Sequence, residues 1–277
     1  MEAKVISKET IKPSSPKPQQ LRNYKLSLLD HLIPSPYSPI VLFYHSNMDS
    51  LTIIFQHSVI SLDLLKKSLS KTLTRFYPLA GMINDDLSID CSDEGAYYVE
   101  TKVNCTLYHF LTSPDLLLIH RFLPCDLILK ESVGTFVSNF QVNVFECGGI
   151  AIGICISHKV LDGAALNTFI KAWFGAARGC GEALLPKFVA SSLFPASDFW
   201  LRDSSIVMWG SLFRLGKCRT RRFVFDSSAI TSLKAKVDLK FYSTRIEAVS
   251  GFLWKCLMKA NMQRKLERST YLQPLIV

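Results

Sequence analysis

The chain has 277 residues, of which 48% are hydrophobic and 20% charged, enough apolar material for a buried core and too much for a disordered polymer. Lys and Arg outnumber Asp and Glu by 32 to 23, and the resulting charge of +9 favours anionic partners, although dispersed basic residues without a recognition signature argue against nucleic acid. The eight cysteines contain no Cys-x-x-Cys, no apolar run reaches the roughly 18 residues of a membrane helix, and the N-terminus has no apolar signal core; the expectation is a cytoplasmic protein with reduced thiols and no metal.

Residues 3–11 alternate weakly and predict a short strand. Pro13, Pro16 and Pro18 then exclude helix and suggest an extended linker. Tyr24 to Leu32 and Pro39 to His45 read as extended. Asp63 to Phe76 is the first helix, with Leu64, Leu65, Leu69, Leu73 and Phe76 at helical spacing and Lys66, Lys67 and Lys71 on other faces. Tyr77-Pro78 ends it. Leu87 to Cys91 and Ala96 to Val103 look like a strand pair.

Thr135 to Phe145 and Ile150 to Ser157 predict a hairpin around Gly148-Gly149, a pair suited to a turn that needs positive φ. The second run is apolar on both faces, which predicts a strand buried on both sides. A helix follows from about Ala164 to Ala177, with Leu166, Phe169, Ile170, Trp173 and Ala177 as its stripe. Residues 179–216 read as a long connection, and the basic stretch Lys217 to Arg222 as a solvated loop or strand edge. Arg222 to Phe225 suggests a strand, an Asp226 or Ser227 cap opens a short helix to about Lys236, and a last helix spans Ser243 to Met262. There is no internal repeat.

His-x-x-x-Asp occurs twice, at His45–Asp49 and His158–Asp162, so spacing alone decides nothing. No helix is predicted to start at Asp49, and His45 reads as a loop histidine. His158 follows the buried strand and precedes a helix, and strand ends at sheet openings are where sites form in α/β folds. An imidazole fixed there suits a general base for a hydroxyl. Two plainer readings stand beside this one: His158 as a satisfied core histidine, and Asp162 as the N-cap of the next helix.

The segment Ile156-Ser157-His158-Lys159-Val160-Leu161-Asp162-Gly163 resembles the His-x-x-x-Asp-Gly motif of the plant BAHD acyltransferases. Stretches in the same order resemble that family too: Val5 to Ser14, Leu26-Ser27-Leu28-Leu29-Asp30, Phe76-Tyr77-Pro78-Leu79-Ala80-Gly81, Asp90 to Ala96, Phe145 to Gly149, and Ala172-Trp173. The similarity runs to about Leu272 and looks closest to the vinorine synthase-like alkaloid acetyltransferases.

The resemblance implies an α/β, chloramphenicol acetyltransferase-like two-domain fold with mixed sheets. Residues 1–190 would form the N-terminal domain, 191–220 a crossover, and 221–277 the start of a second, incomplete domain. It implies an acyl-CoA-dependent O-acyltransferase, most simply an acetyl transferase acting on a hydroxyl of a specialised metabolite such as an alkaloid. Acyl-CoA is then a co-substrate, with no permanent cofactor, and the complete protein is a monomer whose partners are acyl-CoA and an alcohol or amine acceptor. His158 is implied as general base, Asp162 as structural support paired with an Arg, and Gly163 as room for the turn. Lys234, Lys236, Ser243 and Thr244 lie where the family contacts CoA.

The chain also departs from the family. Asp-Phe-Gly-Trp-Gly is absent, and Ser197-Asp198-Phe199-Trp200 is no substitute. Met82 stands where an Arg is usual, and the Asn-x-Arg strand that would supply Asp162's partner does not appear. These departures imply a C-terminally truncated acyltransferase, with a catalytically inactive or partner-binding fragment as the alternative.

Overall fold

The first strand, β1 (Ala3–Ile11), lies at the edge of a five-stranded sheet completed by β3 (Tyr37–Tyr44), β6 (Ala96–Val103), β7 (Ser138–Phe145) and β8 (Ile150–Ser157). The order is β1-β6-β7-β8-β3. Strands β6 and β7 run parallel and the other neighbours antiparallel, so the sheet is mixed as expected. A computed structural model describes residues 1–33, 37–45, 58–85, 87–112, 114–124, 134–179, 185–196, 221–236 and 243–263. They fall in two compact units, Met1–Phe213 and Arg214–Val277. No helix among the described residues is long and apolar enough to cross a membrane.

Every residue of β8 is buried, as its unbroken apolar run predicts. Ile150, Ile152, Ile154 and Ile156 face the main core, under α2 (Ser58–Arg75) and α4 (Gly163–Ala177). Ala151 and Cys155 face the opposite side, against Phe122, Leu123 and Tyr37. The helix that the Leu65, Leu69, Leu73 spacing predicts therefore exists, and it starts earlier than Asp63. Trp173 locks it to α4: the buried indole N–H reaches Leu65 O and Ser68 Oγ, each at 3.1 Å. Phe140 and Phe169 pack against the same ring.

Lys66, off the apolar stripe of the helix, is half-buried and paired. Its ammonium sits 2.6 Å from Glu9 on β1 and 2.8 Å from Glu100 on β6. Burial works against the ammonium, but the bonds to Glu100 and Glu9 outweigh it, and the lysine's pKa is raised. This ion pair ties the helix to the sheet edge.

The hairpin turn forms where Gly148-Gly149 predicted it. Gly148 has φ 78°, the left-handed region that glycine enters at no steric cost, and its N–H donates to Phe145 O at 2.9 Å. Phe145 N–H in turn donates to Gly149 O at 2.9 Å.

Three sequence expectations fail. Leu87 to Cys91 does not pair with Ala96 to Val103. Its strand, β5 (Ser88–Asp90), joins β2 (Asn23–Lys25) and β4 (Met82–Ile83) in a separate sheet of order β2-β5-β4. The Ser92–Gly95 link is no hairpin turn because Cys91 N–H goes to Arg22 O, Asp93 accepts from the Lys17 N–H, and Gly95 N–H goes to Ala80 O. Tyr24 to Leu32 is extended only over β2. Ser27 and Asp30 form a reciprocal capping box, which starts the helical turn α1 (Leu28–His31). Arg222 to Phe225 forms no strand, and Asp226 caps the helix that follows. Of the long connection 179–216, residues 180–184 and 197–216 lie outside the described residues, as does the Ser197–Trp200 segment. The described remainder holds the short helix Ala190–Leu193 and a bridge from Ser27 to Pro195.

The tightest constraint is at Gly153, in the middle of β8. A Cβ placed there would lie 1.9 Å from the carbonyl oxygen of Phe122, because the 3₁₀ segment Leu116–Phe122 crosses directly over the strand. Gly153→Ala must lift backbone off backbone. It is expected to cost more than about 2 kcal/mol, toward the upper end of overpacking penalties, as a lowered urea midpoint at unchanged slope. A midpoint equal to wild type contradicts the crossing.

Candidate active site

The site grows from the end of β8. Ser157, fully buried, is the last strand residue; its N–H donates to Val137 O at 2.9 Å, and its carbonyl accepts from Val160 N–H at 3.2 Å. The second bond closes a tight turn over His158-Lys159-Val160, and the first ties Ser157 to the lead-in of β7. Across the sheet, Tyr37 of β3 stands opposite Ser157 in the register. Its hydroxyl donates to Phe136 O at 2.7 Å and lies 3.1 Å from Thr135 Oγ1. The strand ends on both sides of the turn are thus pinned to the segment that leads into β7.

His158 sits at the start of this turn, half-buried. Its Nδ1 is buried and has no hydrogen-bond partner among the described residues. His158 lies half-buried just past a strand end, the position read for it from the sequence. The plain alternative, a satisfied core histidine, does not fit, since among the described residues the ring is neither fully buried nor hydrogen-bonded through Nδ1.

Asp162 follows the plain reading. It is exposed, with φ −83° and ψ 179°, and its Oδ1 accepts from Ala165 N–H at 2.7 Å as the N-cap of α4. Among the described residues it makes no ion pair, so the implied Arg partner is not found there. A Cβ at Gly163 would meet no atom of the described residues within 4 Å. His45 ends β3 as an exposed loop residue, and its Asp49 lies outside the described residues.

The four residues implied for CoA lie in the second unit. Lys234 is in the last turn of α6 (Ser227–Ala235) and Lys236 is its exposed C-cap. Ser243 and Thr244 precede α7 (Arg245–Gln263). Thr244 and Glu247 form a reciprocal cap: Thr244 N–H donates to Glu247 Oε2 at 2.7 Å and Glu247 N–H donates to Thr244 Oγ1 at 3.2 Å. The Thr244 bonds hold the Glu247 carboxyl below its ordinary pKa, and Lys234 adds a smaller pull in the same direction.

Sequence reasoning missed the residues that hold β8 in place. Asn143, fully buried, accepts from Thr101 Oγ1 at 2.6 Å and from Gln141 Nε2 at 2.7 Å. It donates to Phe122 O at 3.1 Å and Ala151 O at 3.0 Å. A polar Asn in an apolar strand, and a Gly inside a run of Ile, were the available signals.

The first unit is thus a mixed five-stranded sheet with α2 and α4 packed over the Ile150–Ile156 face of β8. It is the mixed α/β fold, chloramphenicol acetyltransferase-like, of vinorine synthase, with which the chain is 32% identical at a TM-score of 0.74, over 96% of this chain and 63% of that one. TRI101 of F. sporotrichioides, at 15% identity and a TM-score of 0.54 over 87% of this chain and 60% of that one, shares the fold.

Residues 1–275 match the Transferase family, and the chain belongs to it, among the BAHD acyltransferases that its motifs resemble. It is 42% identical to an epi-neemfruitin B 7-O-acetyltransferase of Melia azedarach, over 94% of this chain and 60% of that relative. It is 37% identical to salutaridinol 7-O-acetyltransferase of Papaver somniferum, over 92% and 58%. The chain thus spans about three fifths of the length of the curated relatives it matches.

Asp162→Ala is expected to cost about 0.5–2 kcal/mol in urea unfolding, and Asp162→Asn much less, because a neutral amide oxygen can still cap. Equal losses in both variants would instead reveal a charged partner for Asp162.

Proposed function

We propose that the site at His158 carries out acyl-CoA-dependent O-acyl transfer, with acetyl-CoA as donor and a hydroxyl of a specialised metabolite, such as an alkaloid, as acceptor. The observation that supports it most is the placement of His158: a half-buried imidazole at the end of a fully buried strand, in a chain whose relatives are named O-acetyltransferases. In this reading His158 Nε2 takes the acceptor's proton as the oxygen attacks the thioester carbonyl. The tetrahedral intermediate collapses, the carbon–sulfur bond breaks, and the CoA thiolate leaves with the proton that His158 held. Asp162 acts through the backbone, fixing where α4 starts and therefore where the His158 turn ends.

Lys234 and Lys236 supply the cationic side chains a CoA phosphate needs, and the hydroxyls of Ser243 and Thr244 supply donors, that of Thr244 shared with its capping role. Residues 1–190 serve as the domain that carries the base, 191–220 as the crossover, and 221–277 as the opening of the second domain.

A second reading, a non-catalytic chain that binds a partner, is favoured by one feature of the second unit. Phe223, Val224, Ile246 and Trp254 are exposed there, Trp254 at 67%. Large apolar side chains left in water around two short helices are uncommon on a self-sufficient surface.

Thiol release from acetyl-CoA, measured against a panel of alcohols, separates the two. Turnover that requires an acceptor and falls at least about 10²-fold in a folded His158→Ala variant is the expected outcome. An unchanged rate in that variant removes His158 as the base. A cooperatively melting protein with no turnover supports the partner-binding reading.

A further inference from the structure

The pattern Pro-x-Ser-Pro occurs twice, at residues 13–16 and 36–39. The structure separates the two serines. Ser38 belongs to β3, half-buried and opposite Ile156 of β8. Ser15 is exposed, in the proline-rich segment 13–18 that forms neither helix nor strand. Of the other two Ser-Pro pairs, Ser35 lies outside the described residues, as does Ser113, which follows α3 (Leu107–Thr112).

The segment is a strap held against α2 on either side of Ser15. Before it, Ser70 Oγ donates to Lys12 O at 2.7 Å, and Ser14 N–H donates to Thr74 Oγ1 at 2.9 Å. Thr74 gives its own hydrogen to Ser70 O at 3.1 Å, so the Ser14 hydroxyl, 3.0 Å from Thr74 Oγ1, is the donor of that pair. After it, Lys17 N–H donates to Asp93 Oδ2 at 2.9 Å, and the Lys17 ammonium reaches Thr74 O. The Ser15 hydroxyl, between these anchors, has no partner among the described residues. The anchors are exposed or partly so, and such bonds contribute only about 0.5–1.5 kcal/mol each. The strap can therefore lift without the sheet or α2 unfolding.

The surroundings are basic. Ser14 lines a groove with Lys12, Lys67 and Lys71, none of which forms an ion pair among the described residues. The carboxylate in its wall, Glu9, is taken up by Lys66. Asp93 is an opposing charge on the Lys17 side.

We propose that Ser15 is a phosphorylation site for a proline-directed protein kinase. Pro16 biases Ser15 toward the extended backbone that a kinase cleft holds, and a proline after the serine needs no acceptor for an N–H there. Ser15 Oγ attacks the γ-phosphorus of ATP, the bond from that phosphorus to the β–γ bridging oxygen breaks, and ADP leaves. The hydroxyl proton passes to the kinase's catalytic carboxylate. The product adds a charge of about −1.5 to −2 at neutral pH to a lysine-rich surface.

The test is incubation of the folded chain with a mitogen-activated protein kinase and Mg-ATP, then digestion and mass spectrometry, with a cooperative melt recorded on the same sample. Phosphate is expected on Ser15 and not on Ser14, whose hydroxyl is engaged. Ser38 is expected to react at least about tenfold more slowly, because a paired strand residue is reached only by opening the sheet. Pro16→Ala is expected to slow the Ser15 reaction severalfold with the melt unchanged. An unmodified Ser15 in a chain that melts cooperatively, a Ser38 rate equal to that of Ser15, or a Pro16→Ala rate equal to wild type overturns the proposal.

Discussion

The 3₁₀ segment Leu116–Phe122 crosses so close to β8 that a Cβ on Gly153 would lie 1.9 Å from the Phe122 carbonyl oxygen, and the hydrogen bonds around the strand accommodate that crossing. One face of β8 is shielded by helices and the other by backbone. Backbone brought so close to a strand must have its polar groups satisfied. Asn143 and Gln141 do this: Asn143 donates to the Phe122 carbonyl, and Gln141 donates to the Arg121 carbonyl at 2.8 Å. Three strands and one covering segment thus share a single buried hydrogen-bond network, in which removal of one member strands several others.

That rigidity reaches the candidate base. His158 follows a strand with no exposed residue and sits in a turn closed by the Val160 N–H to Ser157 O bond, ahead of a helix whose start is fixed by Asp162 and whose body is fixed by Trp173 against α2. A general base must hold its geometry to within a fraction of an ångström, and sites built on strand and helix ends achieve this better than free loops. Among the described residues His158 Nδ1 has no hydrogen-bond partner. Serine-hydrolase triads show the alternative arrangement, in which a carboxylate orients the second nitrogen. Here backbone geometry carries the positioning.

The second unit is organised by end effects more than by burial. Asp226 caps α6, and Thr244 with Glu247 caps α7, while the sides of these helices expose Ile246, Phe252, Trp254 and Met258. Caps stabilise helix ends by about 1 kcal/mol each, less than a buried apolar face contributes. The same asymmetry separates Lys66, held by two carboxylates and tied into the sheet, from Lys236, which is exposed at the end of α6.

Amino-acid order alone determined the local features: the Leu65–Leu69–Leu73 helix, the glycine turn between β7 and β8, the two-sided burial of β8, and the histidine that ends it. Each follows from a periodicity or a backbone preference contained within a few residues. The Ser27–Asp30 box was equally local and was overlooked because the apolar residues beside it imitate a strand. Only tertiary structure decided that Leu87 to Cys91 belongs to a second sheet, that Arg222 to Phe225 has no strand partner among the described residues, and that Lys66 pairs with two carboxylates. It also decided that Asp162 serves as a cap and that Gly153 admits another segment's carbonyl. Those outcomes depend on which groups meet across tens of residues, and a pairing of that range is chosen by the competition for buried hydrogen bonds and close packing, which no local pattern records.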